Sequence, residues 1–255
     1  MSEYKLLADL HVHSIFSKHA YSTITENITQ ANSLGLKYLA ITDHIFQDGT
    51  ESEIKNEAMR IQYLEKEINY KIPLYVIGGA EFNLFQVLQF KEKFKNLSWK
   101  IIGLHKYPGG VNPAYVSLQM IYQEFVKQSR YVDGFAHIER ELHEVDYGNY
   151  KDNSLAEPVK SFLSSMVELA KSTDTYLELN ESSLRSYGDL YYDKVFFWMT
   201  KAREINCKIY LGSDSHYHSR IGNFENSLAL LKKLNYPKSL ILNFNENELK
   251  KLIKG

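Results

Sequence analysis

Residues 5–12 read Lys-Leu-Leu-Ala-Asp-Leu-His-Val and run directly into His13. The run is short and rich in leucine, with Leu6, Ala8, Leu10 and Val12 on one alternating set of positions and Leu7, Asp9 and His11 on the other. That composition suits a strand covered on both faces, as in a parallel sheet, rather than one with a wet side. His11 and His13 are two residues apart, so on a strand both imidazoles leave the same face. A covered strand that ends in two histidines on one face is built to hold something.

Six further runs have the same character: 37–43, 73–80, 100–105, 132–137, 175–180 and 208–213. Helical stretches are predicted between and after them at 24–34, 52–69, 115–129, 156–172, 191–205 and 223–234. In the last, Leu228, Leu231 and Leu234 recur along one stripe while Lys232 and Lys233 turn away. Seven strands alternating with helices predict a parallel α/β fold, and closing it gives a (β/α) barrel. Residues 1–255 read as one domain, since barrels of roughly 250 residues commonly form single units. The tail from 238 to 254 reads as a short extended piece and a final helix, with a role in packing.

In such barrels the reactive groups sit at the carboxyl ends of the strands. Six of the seven runs end at or just before His11 and His13, His44, Glu81, His105, His137, or Asp214 with His216. With His19, these nine residues take seven of the nine histidines in the chain. Imidazole nitrogen and carboxylate oxygen suit borderline divalent ions, zinc above all, with manganese and iron as alternatives. The sixth run ends in Leu-Asn-Glu-Ser-Ser, whose polar groups, Asn180 among them, are placed to face the same mouth.

In order along the chain stand Asp9-Leu-His-Val-His-Ser14, Ser17-Lys-His-Ala-Tyr-Ser-Thr23, Ile41-Thr-Asp-His44, Gly79-Ala-Glu-Phe-Asn83, Gly103-Leu-His105, Phe135-Ala-His137 and Gly212-Ser-Asp-Ser-His216. This set resembles the PHP superfamily of metal-dependent phosphoesterases, and is most similar to its short stand-alone phosphatase branch. The resemblance runs from about residue 6 to residue 218. It implies a distorted seven-stranded barrel with three divalent ions at the carboxyl ends of the strands. His11, His13, Glu81 and Asp214 would hold the first ion. Glu81 would bridge to the second, completed by His105 and His137, and His19, His44 and His216 would hold the third. The chain departs from that branch after His137, where Ile138-Glu139-Arg140 stand in place of small residues or proline.

Three divalent ions carry six positive charges against the two negative charges of Glu81 and Asp214. The excess favours anions, hydroxide and phosphate. Clustered ions lower the pKa of bound water to roughly 7 and clamp the attacking and leaving oxygens of an in-line displacement. The expected reaction is phosphomonoester hydrolysis by a metal-bound hydroxide, with Glu81 and Asp214 as the central carboxylates and a small phosphorylated metabolite as substrate. The resemblance also leaves open histidinol-phosphate hydrolysis, a nucleotide or oligonucleotide phosphodiesterase, and a metal-binding accessory protein without turnover. Candidates to grip the phosphate are Arg185, whose guanidinium fork matches phosphate oxygens, and Lys106, Arg140 and His218. Asp9 and Asp43 are placed to fix histidine tautomers. His143, among charged neighbours, reads as an exposed spare.

Composition narrows the setting. A formal charge of −1 without long basic runs gives no electrostatic footprint for nucleic acid. One cysteine, Cys207, cannot close an internal disulfide. With no leader before the first strand and no apolar run near 18 residues, the expectation is a soluble cytoplasmic protein without a membrane partner. Residues 139–155, charged and aromatic, read as a loop near the mouth. Tyr21, Tyr107 and Tyr217 stand beside ligand motifs and suggest an aromatic rim.

Overall fold

Each of the seven apolar runs contributes a strand in the computed structural model, which describes residues 5–45, 73–85, 97–105, 117–140, 156–186 and 188–253. The strands are β1 (Ala8–Val12), β2 (Tyr38–Ile41), β4 (Tyr75–Asn83), β5 (Trp99–Gly103), β6 (Gly134–Phe135), β7 (Tyr176–Asn180) and β8 (Ile209–Gly212). A two-residue β3 (His44–Ile45) pairs with the far half of β4. All pairings are parallel, in the order β1-β2-β4-β5-β6-β7-β8. Beyond the last strand, the Asp214 N–H donates to the His11 carbonyl and the His13 N–H to that of Ser215, each at 2.9 Å. The sheet therefore turns back on itself into a nearly closed seven-stranded barrel, with helices around it.

The interior below the mouth is filled by side chains from strands that are not neighbours. Trp99 on β5 donates its indole N–H to the Leu10 carbonyl on β1 at 3.0 Å. Its ring meets that of Tyr210 on β8 edge-on at 5.1 Å. Such contacts across the barrel exclude water from its lower half, each fully buried apolar side chain contributing about 1.5–3 kcal/mol. The larger core lies outside the sheet, where Phe125, Phe135, Leu163, Met166 and Trp198 pack together.

The helices α1 (Ile24–Ser33), α2 (Leu118–Gln128), α3 (Glu157–Thr173), α5 (Gly188–Glu204) and α6 (Glu225–Lys233) fall within or close to predicted stretches. The stretch at 52–69 lies outside the described residues, as do Lys106, Tyr107, His143 and most of the 139–155 segment. Thr23 and Glu26 start α1 with a reciprocal capping box: the Glu26 N–H donates to Thr23 Oγ1, and the Thr23 N–H to the Glu26 carboxylate. Helix α4 (Glu181–Ser186) is not predicted by the sequence pattern. It forms because Asn180, at the end of β7, accepts the Ser183 N–H at 2.8 Å, and because Glu181 is held against the start of α6 by Asn226 and Ser227.

The tail departs from expectation in one respect. In place of an extended piece, two 3-10 turns, Lys238–Leu240 and Leu242–Phe244, precede α7 (Glu246–Lys251). Only Ile241 makes a bridge to β8. The cause is Asn243, fully buried at the seam of the barrel. Its Oδ1 accepts the Leu211 N–H at 2.6 Å, and its amide donates to the Ala8 and Leu211 carbonyls. No described helix is long and apolar enough to cross a membrane.

Candidate metal centre

Glu81 sits near the end of β4 with its carboxylate fully buried. Oε2 lies 3.1 Å from His11 Nε2, 3.3 Å from His13 Nε2 and 3.2 Å from His44 Nδ1. Oε1 lies 2.9 Å from His105 Nε2 and 2.7 Å from His137 Nε2. One carboxylate therefore faces two sets of imidazoles, one with each oxygen. Asp214 Oδ1 joins the first set, 3.2 Å from His13 Nε2 and 3.7 Å from His11 Nε2.

Five histidines can reach Glu81 because two glycines leave room. A Cβ on Gly103 would lie 2.8 Å from His105 Nε2 and 2.9 Å from His137 Cε1. A Cβ on Gly212 would lie 2.6 Å from His11 Cβ and collide with the Glu178 carboxylate. The backbone is bent at the same place: His137 and Asp214 take positive φ values of 30° and 50°. Left-handed conformations cost a non-glycine residue about 1–3 kcal/mol and cluster at functional sites.

The tautomers follow from the partners of the other ring nitrogens. His11 Nδ1 lies 2.6 Å from the ionisable Glu178, an acceptor. Ser17 Oγ donates to Asp43 at 2.7 Å, so at 2.9 Å from His13 Nδ1 it accepts. Both Nδ1 atoms thus carry the proton, and both Nε2 atoms carry lone pairs, 3.0 Å apart. With both rings neutral, two imidazole lone pairs and two carboxylate oxygens converge on one point, where a positive charge has to stand between them. A divalent cation resolves that arrangement, and the donor set fits one.

The charge states agree. Burial alone would lower the pKa of His11, but Glu178, Glu81 and Asp214 outweigh it and raise it well above the usual imidazole value. Burial works against ionised Glu81 and Asp214 as well. Four histidines around Glu81, and His11, His13 and Arg140 around Asp214, override it and hold both well below the carboxylate range. Burial lowers His44, His137 and His216, the last to about 4, leaving neutral rings with lone pairs to give.

The third group is looser. His19 is exposed, with its ring centroid 5.0 Å from that of His44 and 4.7 Å from that of His216. The ligand atoms that lie within 4.8 Å of one another here are those of His44, His216 and His13. Of the residues expected to grip phosphate, Arg140 reaches the cluster, donating to Asp214 Oδ2 at 2.8 Å and lying 3.1 Å from His137 Nε2. His218 faces Ser22 instead, with Nδ1 3.1 Å from its hydroxyl. Arg185 is exposed in the last turn of α4.

Asp9 does not fix a tautomer, contrary to the reading from sequence. It accepts the N–H groups of His11, Ser213 and Gly222, and burial raises its pKa to about 6. Asp43 does act on His13, through Ser17. Sequence reasoning passed over Glu178, which holds His11 and accepts the His137 N–H at 2.9 Å. Its signal was a carboxylate inside Tyr-Leu-Glu-Leu-Asn, a strand covered on both faces. It also missed Glu139, whose pKa burial raises to about 7 and which accepts from the Tyr191 hydroxyl on α5.

Several known proteins are similar to this chain. A probable phosphatase of Clostridium acetobutylicum is 26% identical, across 98% of this chain and 96% of its own. One from Thermoanaerobacter sp. is 28% identical, across 98% and 95%. The crystal structure of a histidinol phosphate phosphatase from Lactococcus lactis, complexed with zinc, L-histidinol and phosphate, superposes with a TM-score of 0.61. It is 19% identical and covers 90% of this chain and 94% of that one. The PHP domain model matches residues 9–195, nearly every strand and most of the cluster, and the chain belongs to the PHP domain family.

Proposed function

We propose that this metal-dependent phosphatase hydrolyses phosphomonoesters of small metabolites at a site holding three divalent ions, zinc first among them. The observation that carries the reading is Glu81, whose two oxygens each face a separate set of imidazoles. His11, His13 and Asp214 would hold one ion, His105 and His137 a second across Glu81, and His19, His44 and His216 a third, with His13 close to that last group. When bound, such ions supply the Lewis acidity that activates water near neutral pH and offsets charge building on phosphoryl oxygens.

The chain's own residues do the rest. Glu178 and the Ser17–Asp43 pair keep the Nδ1 protons of His11 and His13 turned away, so that Nε2 presents a lone pair. Asn180 steadies the Asp214 carboxylate from 3.3 Å. Arg140, already among these groups, supplies a planar set of N–H donors for phosphate oxygens. Arg185, Lys106 and His218 are the remaining candidates for that grip.

The test is phosphate release from a panel of monoesters and diesters by purified protein of known metal content. Monoester hydrolysis that stops on chelation and returns with zinc, manganese or iron supports the reading. Turnover of diesters alone, or none by the metal-loaded protein, overturns it.

A further inference from the structure

Resting on the proposed reading of Arg140 as the grip for phosphate, we propose that Glu139 and Tyr191 act as a positioning pair that aims its guanidinium. The turn that carries Arg140 is short, its N–H donating to the His137 carbonyl at 3.0 Å. Within those four residues the side chains part in three directions. His137 and Arg140 enter the cluster, with His137 Nε2 2.7 Å from Glu81 Oε1 and Arg140 Nη1 2.8 Å from Asp214 Oδ2. Ile138 packs into the core outside the sheet. Glu139 turns to α5, where its Oε1 accepts from the Tyr191 hydroxyl. Tyr191 shares the buried stripe of α5 with Val195, Trp198 and Ala202, so that hydroxyl stands on a helix held by its packing.

Packing alone does not account for the pair. Glu139 is 1% exposed and Tyr191 5%, and Glu139 Oε2 has no hydrogen-bond partner among the described residues. Burying a carboxyl that is satisfied at one oxygen works against the fold. An apolar side chain of similar volume would fill the same space without that penalty. What the carboxyl adds is direction. It ties the third residue of the turn to a fixed helix, so the fourth leaves the backbone at a set angle. Arginine has many rotamers to lose when it grips an anion, and a fixed root leaves fewer of them open beforehand.

The probe is inorganic phosphate, titrated calorimetrically into the metal-loaded protein. Arg140→Ala should weaken its binding about ten- to a hundredfold, and Tyr191→Phe or Glu139→Met, which break the pair from either end, roughly three- to tenfold. Glu139→Gln keeps an acceptor for the hydroxyl and should recover most of what Glu139→Met loses. Elemental analysis should find the parent's metal content in all four. The deciding measurement is Tyr191→Phe or Glu139→Met made in Arg140→Ala: with no guanidinium to aim, either should change phosphate affinity by less than about twofold. Full additivity would overturn the pair, since a merely structural loss acts equally with and without Arg140. So would phosphate binding unchanged in Tyr191→Phe or in Arg140→Ala, or loss of a metal equivalent in Tyr191→Phe, which would assign the pair to His137. Should the cycle close as expected in a protein that hydrolyses no monoester, the pair stands and the phosphatase reading fails.

Discussion

Glu178 makes no direct contact with Glu81 or Asp214 in the cluster, yet it sets how His11 enters it. Its Oε1 holds the His11 Nδ1 proton and its Oε2 accepts the His137 N–H, so one carboxylate orients two ligands from opposite sides of Glu81. Partners of this kind are worth roughly ten- to a hundredfold in metal affinity. Glu178→Gln should weaken binding in competition with a chelator by that factor, with kcat recovering at saturating metal; unchanged affinity would remove Glu178 from its role. On the proposed reading, Arg140 serves the substrate rather than the ions. Arg140→Ala should keep the parent's metal content and lower kcat/KM about ten- to a hundredfold, the size of a lost charge-assisted hydrogen bond. A full turnover number and KM in that variant would pass the grip to Arg185, Lys106 or His218. Spacing made the clustering of His11 and His13 legible, because histidines two apart at a strand end must share a face. Glu178 was not legible in the same way: which inward carboxylate meets which imidazole depends on the register of β7 against β8 and on the absence of a Cβ at Gly212.

Among the elements, the strands were the clearest in sequence, since burial on both faces leaves continuous apolar runs. The six-residue α4 was not, because it depends on Asn180 and on contacts of Glu181 with residues some 45 positions away. The tail was misread for a similar reason. An apolar Ser-Leu-Ile-Leu run suggests a strand, but β1 and β8 need a polar clamp where their ladder is missing, and the Asn243 amide supplies it. Asn243→Ala would strand a buried N–H and two carbonyls at once. The expected loss is at least about 3 kcal/mol in urea unfolding, from roughly 1–3 kcal/mol for each buried group left unpaired. A change under about 1 kcal/mol would show that the seam closes without it.

Across the whole molecule, the barrel separates stability from chemistry. Its lower half and outer layer are apolar, and the titratable cluster is gathered at one end. Cys207 lies on the stable side, fully buried, with its thiol pushed up to about 12 by desolvation. Raised above its ordinary value of 9.0, this group stabilises the fold fully below about pH 9 and loses that contribution only as pH climbs toward 12. At pH 8 native protein should therefore be inert to a thiol reagent, and reaction should track unfolding; rapid labelling of the folded enzyme would contradict the packing. At the other end everything converges on Glu81, and Glu81→Gln tests that most directly, since the amide keeps the volume and gives up the charge that faces five imidazoles. Elemental analysis beside phosphate release should find bound metal and nearly all monoester hydrolysis lost, with the circular dichroism of the parent retained. Full metal occupancy and parental turnover in Glu81→Gln would contradict the account at its centre.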